Sequence, residues 1–413
     1  MRILVVSDIH AYGKPRKGGL KPSSVRAGDS GDSAPTVVFE RLLQQGGIPK
    51  PDLVVTPGDL SDQADQSGLD FAWRFLQQIT GLTECRLLLG TAGNHDIDSR
   101  YKGTDHDAKG MLLDLKPAFP IVGFDTATGG SDPELMQLAF WARNFCILPI
   151  KNCRFVVLNS SAYHGMGRDN SEFEHGRISP STLARIKLGL DHDDEARRSN
   201  GQSGYLLNVL LCHHHLEKDG LVDDPDRSQM TGAHALVEMM SAADHGRWMV
   251  IHGHRHRARL FQAGGTTGPF VLSAASFGAT RDKDYDNTSP NQVHLIELDV
   301  DAMVHHDFYP AGKIRTWTWQ AGMGWLSERY GGGGLPPTTG FGFRGSVDAI
   351  ARTIAAQVDK LPSKWQDICA IEPKAIFLDY NQLRDLRKVL RSKFGVAVIV
   401  GEDGTPIECG RET

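Results

Sequence analysis

The chain has 413 residues, 40% hydrophobic and 23% charged, which is the profile of a globular protein with room for one large domain and a small extra one. Its net charge of −5 counts against electrostatic binding of nucleic acid or anionic membrane by the molecule as a whole. No apolar run approaches the roughly 20 residues of a membrane helix. Met1–Val6 leads straight to an acidic residue and reads as a strand rather than a signal peptide. The 6 cysteines show no CxxC spacing and read as reduced, buried thiols, so a cytoplasmic location is expected.

Ile3–Ser7 is β-branched and reads as a buried strand. A long Gly-, Ser-, Lys- and Pro-rich loop follows, from Ala11 to Ser33, and loops of that length are usually functional or mobile. Pro35–Gln45 reads as a helix stopped by Gly46-Gly47, Leu53–Thr56 as a strand, Leu69–Ile79 as a helix and Arg86–Leu89 as a strand. Further on, helices are predicted at Pro133–Arg143, Pro180–Leu190 and His234–Ser241. Strands are predicted at Phe155–Leu158, Leu206–Leu211, Trp248–Ile251, Phe270–Ser273, Val293–Leu298 and Arg315–Trp319. Helices and strands alternate early and strands dominate later, which suggests a layered α/β sandwich with a mixed sheet. Gly331–Gly334 followed by Leu335-Pro336-Pro337 reads as part of a linker over 323–344. The expected organisation is a large domain over 1–322 and a small α/β accessory domain over 345–413. The latter would hold a helix at Val347–Leu361, then a β-α-β pattern of Ala375–Leu378, Tyr380–Lys393 and Val396–Val400.

Five motifs follow candidate strands: Asp8-x-His10, Gly58-Asp59, Gly93-Asn94-His95-Asp96, Cys212-His213-His214-His215 and Gly253-His254-Arg255-His256. In an open α/β sheet, loops beyond the carboxyl ends of strands form the ligand crevice. Residues two apart share one face of a strand, so Asp8 with His10, and His254 with His256, can each present two donors to one point if the extended conformation continues. Singly, each motif is a turn or a surface tract. Jointly, in this order, they point to a metal site.

Asp8, His10, Asp59, Asn94, His213, His254 and His256 make a set of two Asp, one Asn and four His. That set suits two divalent first-row ions among Mn, Fe, Zn and Ni, with Mn or Fe favoured, and the absence of Cys argues against a structural zinc of the finger kind. Seven donors exceed one tetrahedral ion and fit two ions sharing a bridge, for which Asp59 is the choice. Two such ions lower the pKa of a shared water and clamp an in-line phosphoryl displacement. His95, next to a ligand, is better used as the acid for the leaving oxygen, with Asp96 holding its imidazole in one tautomer. His213 is favoured over His214 as ligand because it comes first after the strand. Asp62 reads equally as support for the site or as a helix cap.

This order of motifs resembles the calcineurin-like metallophosphoesterase superfamily over about the first 300 residues. The resemblance implies a four-layer α/β/β/α sandwich with mixed sheets, a binuclear metal centre and phosphoester hydrolysis. Carried over by position, one ion takes Asp8, His10 and His256, the other takes Asn94, His213 and His254, Asp59 bridges them and His95 is the proton donor. His10-Ala11 and Gly58-Asp59-Leu60-Ser61-Asp62 depart from the protein Ser/Thr phosphatases, which have Gly after the His and an Arg-Gly pair. Asp62 stands where purple acid phosphatases carry a Tyr ligand. The pattern is most similar to class III cyclic-nucleotide phosphodiesterases, although no Pro follows His213-His214-His215.

The expected substrate is therefore a phosphoester, a cyclic nucleotide or another small phosphodiester among the candidates. A nuclease on the same scaffold is an alternative, disfavoured by the acidic balance, and a non-catalytic interaction scaffold is another, disfavoured by the complete ligand set. Lys14, Arg16, Lys17, Lys21 and Arg26 make the long loop either a lid for a polyanion or a solvated segment. Arg255, Arg257 and Arg259 are candidate phosphate contacts, with solvated surface the default. Leu383, Leu386, Leu390 and Phe394 form an apolar stripe, with Arg384, Arg387, Lys388 and Arg391 largely off it. The C-terminal domain names no chemistry; a protein partner or self-association are the roles it allows.

Overall fold

The apolar runs of the sequence become strands, and several stretches not read as strands join them. In chain order the strands are β1 (Arg2–Val5), β2 (Leu53–Thr56), β3 (Leu87–Gly90), β4 (Ile121–Val122), β5 (Phe145–Ile150), β6 (Cys153–Leu158), β7 (Leu207–Leu211), β8 (Trp248–His252), β9 (Arg259–Gln262), β10 (Phe270–Ser273), β11 (Gln292–Leu298), β12 (Gly312–Gln320), β13 (Gly324–Leu326), β14 (Thr338–Phe341), β15 (Ser363–Lys364), β16 (Val396–Val400) and β17 (Pro406–Arg411). The helices are α1 (Pro35–Gln44), α2 (Gln66–Leu82), α3 (Ala108–Asp114), α4 (Pro133–Arg143), α5 (Pro180–Ser199), α6 (Ala233–Ser241), α7 (Val300–His305), α8 (Val347–Gln357), α9 (Trp365–Ile371) and α10 (Tyr380–Phe394). This computed structural model describes residues 1–97, 99, 106–124, 132–165, 175–218, 229–242, 244–265, 267–280, 289–305, 310–328, 333–358 and 363–411. Gly331, Gly332 and Leu361, named in the sequence reading, lie outside the described residues.

Among the described residues the strands form a sheet of 8 in the order β13-β12-β11-β1-β2-β3-β4 with β14 also on β12, a sheet of 6 in the order β5-β6-β7-β8-β10-β9, and a sheet of 3 in the order β15-β17-β16. β1, β2 and β3 are parallel, while β11 runs antiparallel to β1, so the first sheet is mixed. β6, β7, β8 and β10 are parallel, with antiparallel β5 and β9 at the edges. The apolar parallel strands are buried along their lengths because both sheet faces are covered.

The side-chain period of two builds the layers. Phe155, Val157, Val209, Leu211, Met249 and Ile251 share a core with residues of β1, β2 and β3. The alternate residues Val156, Leu158, Leu210 and Val250 join Ile186 and Leu190 of α5 and Leu236 and Val237 of α6 in a separate core. On the first sheet, α1 and α2 pack together, α1 meets β13 and α2 meets β2 and β3. This is the expected α/β/β/α sandwich with mixed sheets.

Three parts of the chain differ from expectation. The stretch read as a linker supplies β13 and β14 to the first sheet, antiparallel to β12. Its Trp325 is 5% exposed, packs against Phe39 and Phe277 with ring centroids 5.4 and 4.8 Å away, and donates its indole N–H to Pro35 O. A Gly- and Pro-rich composition hid a core residue. Pro373–Phe377 is a 3₁₀ turn in place of the expected strand at Ala375–Leu378, and the hairpin partner of β16 is β17. β5 went unread because Pro149 interrupts its pattern; it is tolerated there because β5 is an edge strand. The stripe on α10 is ordinary core: Leu386 and Leu390 are fully buried and α10 packs on α8.

Candidate metal centre

Parallel strands β1, β2 and β3 of one sheet and β7 and β8 of the other each stop just before a group of polar residues. Asp8 and His10 follow β1, Asp59 follows β2, Asn94 and His95 follow β3, His213 follows β7, and His254 and His256 follow β8. The chain does not stay extended there. Asp8, His10, Asp59, His254 and His256 have φ of 51°, 50°, 52°, 83° and 57°. In this left-handed region a side chain is disfavoured, at about 1–3 kcal/mol per residue. Shared strand faces are therefore not what unites Asp8 with His10 or His254 with His256. Tight turns swing each side chain inward, and the turns interlock: Asp8 N donates to Gly58 O, and His10 N to Asp59 O, at 3.1 and 3.0 Å.

Two groups of donors result. Donor atoms of Asp8, His10, Asp59 and His256 all lie within 4.8 Å of one another. His10 Nε2 is 2.9 Å from His256 Nε2 and 3.4 Å from Asp59 Oδ2, and His256 Nε2 is 3.4 Å from Asp8 Oδ1. In the second group, Asn94 Oδ1 is 3.1 Å from both His213 Nε2 and His254 Nδ1. Asp59 Oδ2 lies 3.4 Å from His213 Nε2, so one carboxylate oxygen faces both groups. Imidazole nitrogens and carboxylate oxygens crowded this closely need protons or cations between them. The donor set fits a pair of divalent ions.

Surrounding bonds aim these donors. His213 Nδ1 donates to Pro57 O at 2.9 Å, which turns Nε2 toward the centre. Asp8 accepts from Ser7 Oγ and from His254 N, and Asp59 Oδ1 accepts from His95 N at 2.7 Å, which frees Oδ2. Two glycines of the motifs are explained by contact rather than by conformation. A Cβ on Gly93 would overlap the Asp59 carboxylate, and one on Gly253 would overlap the Asp8 carboxylate and the Ser7 hydroxyl.

The donors also shift one another's charge. Burial would raise Asp59, yet the imidazoles of His213, His95 and His10 hold it well below the usual carboxylate range. Asp8 is also lowered, the hydrogen bond and charge of His256 and the charge of His213 outweighing its burial. Burial pushes His10 down to about 3, leaving the neutral imidazole that ligation requires. His213 is pushed up to about 9: burial opposes the charge, and the Asp59 carboxylate beside it prevails.

The structure corrects the role of Asp96. Its Oδ1 accepts from Ser61 N and its Oδ2 from Gly93 N, each at 2.9 Å, so it staples the loop after β2 to the loop after β3. The carboxylate on His95 belongs to Asp62, whose Oδ1 is 3.0 Å from His95 Nδ1. Asp62 is no helix cap; Asp65 caps α2 by accepting from Gly68 N. Arg16 of the long loop completes the chain of contacts, its Nε and Nη2 donating to Asp62 at 2.9 and 2.5 Å. Burial would raise Asp62, and the bonds from Arg16 and His95 bring it well below the usual range. Sequence reading placed Arg16 among the loop cations but had no means of pairing it; the available signal was a loop of basic residues directly after a ligand. Arg255, Arg257 and Arg259 are half-buried beside the last ligands. His214, the other candidate of the His run, is fully buried with Nδ1 on Ser160 Oγ at 2.8 Å.

A two-sheet α/β sandwich with His and Asp clusters able to hold metal at its strand ends is the architecture of the metal-dependent phosphoesterases. The chain belongs to the calcineurin-like phosphoesterase family, whose family model matches residues 1–267, and the family implies a dimetal centre. No curated protein is similar enough in sequence to match. Among solved structures, a dimetal phosphatase from Danio rerio is similar with a TM-score of 0.45 and 12% identity over 76% of this chain and 95% of that one. The purple acid phosphatase PPD1 of yellow lupin, Lupinus luteus, gives 0.44 and 13% over 77% of this chain and 51% of that one. PhoD gives 0.46 and 10% over 83% and 69%. Among the described residues, no helix is long and apolar enough to cross a membrane.

Proposed function

We propose that this chain is a binuclear-metal-dependent phosphoester hydrolase whose preferred substrate is a phosphodiester. The observation that carries the reading is Asp59 Oδ2, 3.4 Å from His10 Nε2 and 3.4 Å from His213 Nε2, at the meeting point of two donor groups. Asp8, His10 and His256 would hold one ion, Asn94, His213 and His254 the other, and Asp59 both. Two bound ions supply an activated water and neutralise the charge of an in-line phosphoryl displacement.

The remaining work falls to the chain. His95 gives its proton to the departing oxygen, and its side chain is 14% exposed, within reach of a substrate in the cleft. Asp62 orients the ring through Nδ1, and Arg16 holds Asp62 in place. The preference for a diester, a cyclic nucleotide or similar small molecule, rests on the resemblance of the motif order to class III cyclic-nucleotide phosphodiesterases. The two Asp and one Asn oxygens among the seven donors favour Mn or Fe.

The test is a side-by-side assay of bis(p-nitrophenyl) phosphate and p-nitrophenyl phosphate with the purified chain after metal analysis, in added Mn. Faster diester turnover with two ions per chain supports the proposal. Faster monoester turnover removes the diester preference and leaves the hydrolase. A chain that binds no ions removes the metal centre.

A further inference from the structure

The second donor group holds one imidazole more than the ligand set assigned to it. Resting on the metal centre proposed above, we infer that His214 supplies the second ion with a third imidazole through Nε2. His213, His214 and His254 each offer a nitrogen within 4.8 Å of the others. Their ring centroids lie 4.8 Å apart for His213 and His214, 4.6 Å for His214 and His254, and 5.1 Å for His213 and His254.

The two nitrogens of His214 are not equivalent. Nδ1 is 2.8 Å from Ser160 Oγ, the same oxygen that accepts from the backbone N–H of His213 and His214 at 3.3 Å. Nε2 is buried and has no hydrogen-bond partner among the described residues. Buried polar atoms are otherwise almost always paired, so an imidazole with one nitrogen anchored and the other bare is unfinished. With the ring proton on Nδ1, facing Ser160 Oγ, that arrangement is the one a ligating histidine takes, its far nitrogen fixed and its near nitrogen turned to the ion.

The ring is also locked in place. Backbone of Gly176 packs against its Nδ1 edge so closely that a Cβ there would overlap the ring. Arg177 N donates to Ser160 O at 2.9 Å and closes the wall. The inference makes the two ion positions unequal. The first has two carboxylates and two imidazoles, the second three imidazoles, an amide oxygen and the shared carboxylate. The second then selects an ion that favours imidazole, such as zinc or cobalt, over one that favours oxygen donors.

The test loads the full chain with cobalt to two ions per chain and compares wild type with His214→Ala. Two readouts are taken: the proton NMR resonances of imidazole N–H groups shifted by cobalt, and zinc affinities by chelator competition. The expected result is loss of one shifted resonance in His214→Ala with the others retained, and binding of the second zinc weakened at least tenfold with the first unchanged. If His214→Ala keeps every shifted resonance and both affinities, Nε2 faces only a buried water and the inference fails. Should His214→Ala not fold, Ser160→Ala takes its place: removing the partner of Nδ1 must move one shifted resonance, and an unchanged spectrum overturns the inference. A wild-type chain that takes up no cobalt overturns the metal centre itself, a different failure from two bound ions without His214.

Discussion

Replacing Asp62 by Asn keeps the shape of the side chain and removes the charge that faces His95. Asp62 Oδ1 is 3.0 Å from His95 Nδ1, and the side chain is 4% exposed, so solvent screens the pair little. A hydrogen bond involving a charged group contributes about 1.5–3 kcal/mol. If that support is felt when His95 gives up its proton, kcat falls about 10- to 150-fold. The leaving group makes the prediction specific. p-Nitrophenolate departs with little help from an acid, whereas the alkyl oxygen of a 3′,5′-cyclic nucleotide needs protonation. Asp62→Asn should therefore depress cyclic-nucleotide turnover strongly and bis(p-nitrophenyl) phosphate turnover weakly, with two ions per chain retained. Equal loss on both substrates, or loss of metal, would refute the acid role of His95 and its support by Asp62. Asp96→Asn is the contrast: both its oxygens accept backbone N–H groups. An amide there sets one N–H against another, costing about 1–3 kcal/mol of stability, read by urea denaturation.

Gly253→Ala pushes a Cβ into the Asp8 carboxylate and the Ser7 hydroxyl, so elemental analysis should find at most one ion per chain; two retained ions would show that the turn yields. Trp325→Ala empties an aromatic cluster built with Phe39 and Phe277 and should cost about 3–5 kcal/mol, whereas a change under about 1 kcal/mol would restore the linker reading. Burial pushes His294 from its ordinary 6.5 down to about 3, so the unfolded chain takes up a proton that the folded chain refuses. The stability this group contributes is complete above about 6.5 and is lost as pH falls toward 3. His294→Gln should reduce the pH slope of the denaturation free energy in that range by up to about 1.4 kcal/mol per pH unit, and parallel wild-type and variant slopes would contradict it. Stripping metal with a chelator should lower the melting temperature, and restoring ions at 100 times their dissociation constants should return about 2.7 kcal/mol for each ion bound. A melting temperature indifferent to chelator would mean that the centre holds no ion under those conditions.

Much of this site was legible because its chemistry is written in residue types that strand ends rarely need. Asp8, Asp59, Asn94, His213 and His254 announce themselves by following apolar runs that the sheets bury, and the structure brings them together from two sheets. What could not be read was contact between residues of one type and similar spacing. Asp62 and Asp96 flank their motifs alike, and only the fold shows that the backbone of Ser61 and Gly93 occupies one while the ring of His95 meets the other. Arg16 lies 46 residues from Asp62 in sequence, in a loop with no periodic signal. The β13–β14 stretch was lost for a related reason: glycines and prolines mark breaks in regular structure, and they flanked the tryptophan that fills the core beneath α1.

The left-handed backbone at five of the ligand positions says something that residue types cannot. A strand that continued through Asp8 and His10 would send their carbonyls and amides along the sheet and keep their side chains a full two-residue rise apart. Tight turns instead place Asp8 Oδ1 within 3.9 Å of His10 Nε2. At about 1–3 kcal/mol each, five such residues oppose folding by an amount comparable to the whole stability of a typical domain. The interlocking amides between the loops after β1 and β2 and the staple made by Asp96 offset part of that cost before any ion arrives. Cations held between the carboxylates and imidazoles would offset more. A fold that retains this strain at its donors, and places unstrained apolar strands directly beneath them, concentrates its departures from easy geometry where phosphoester chemistry is proposed to occur.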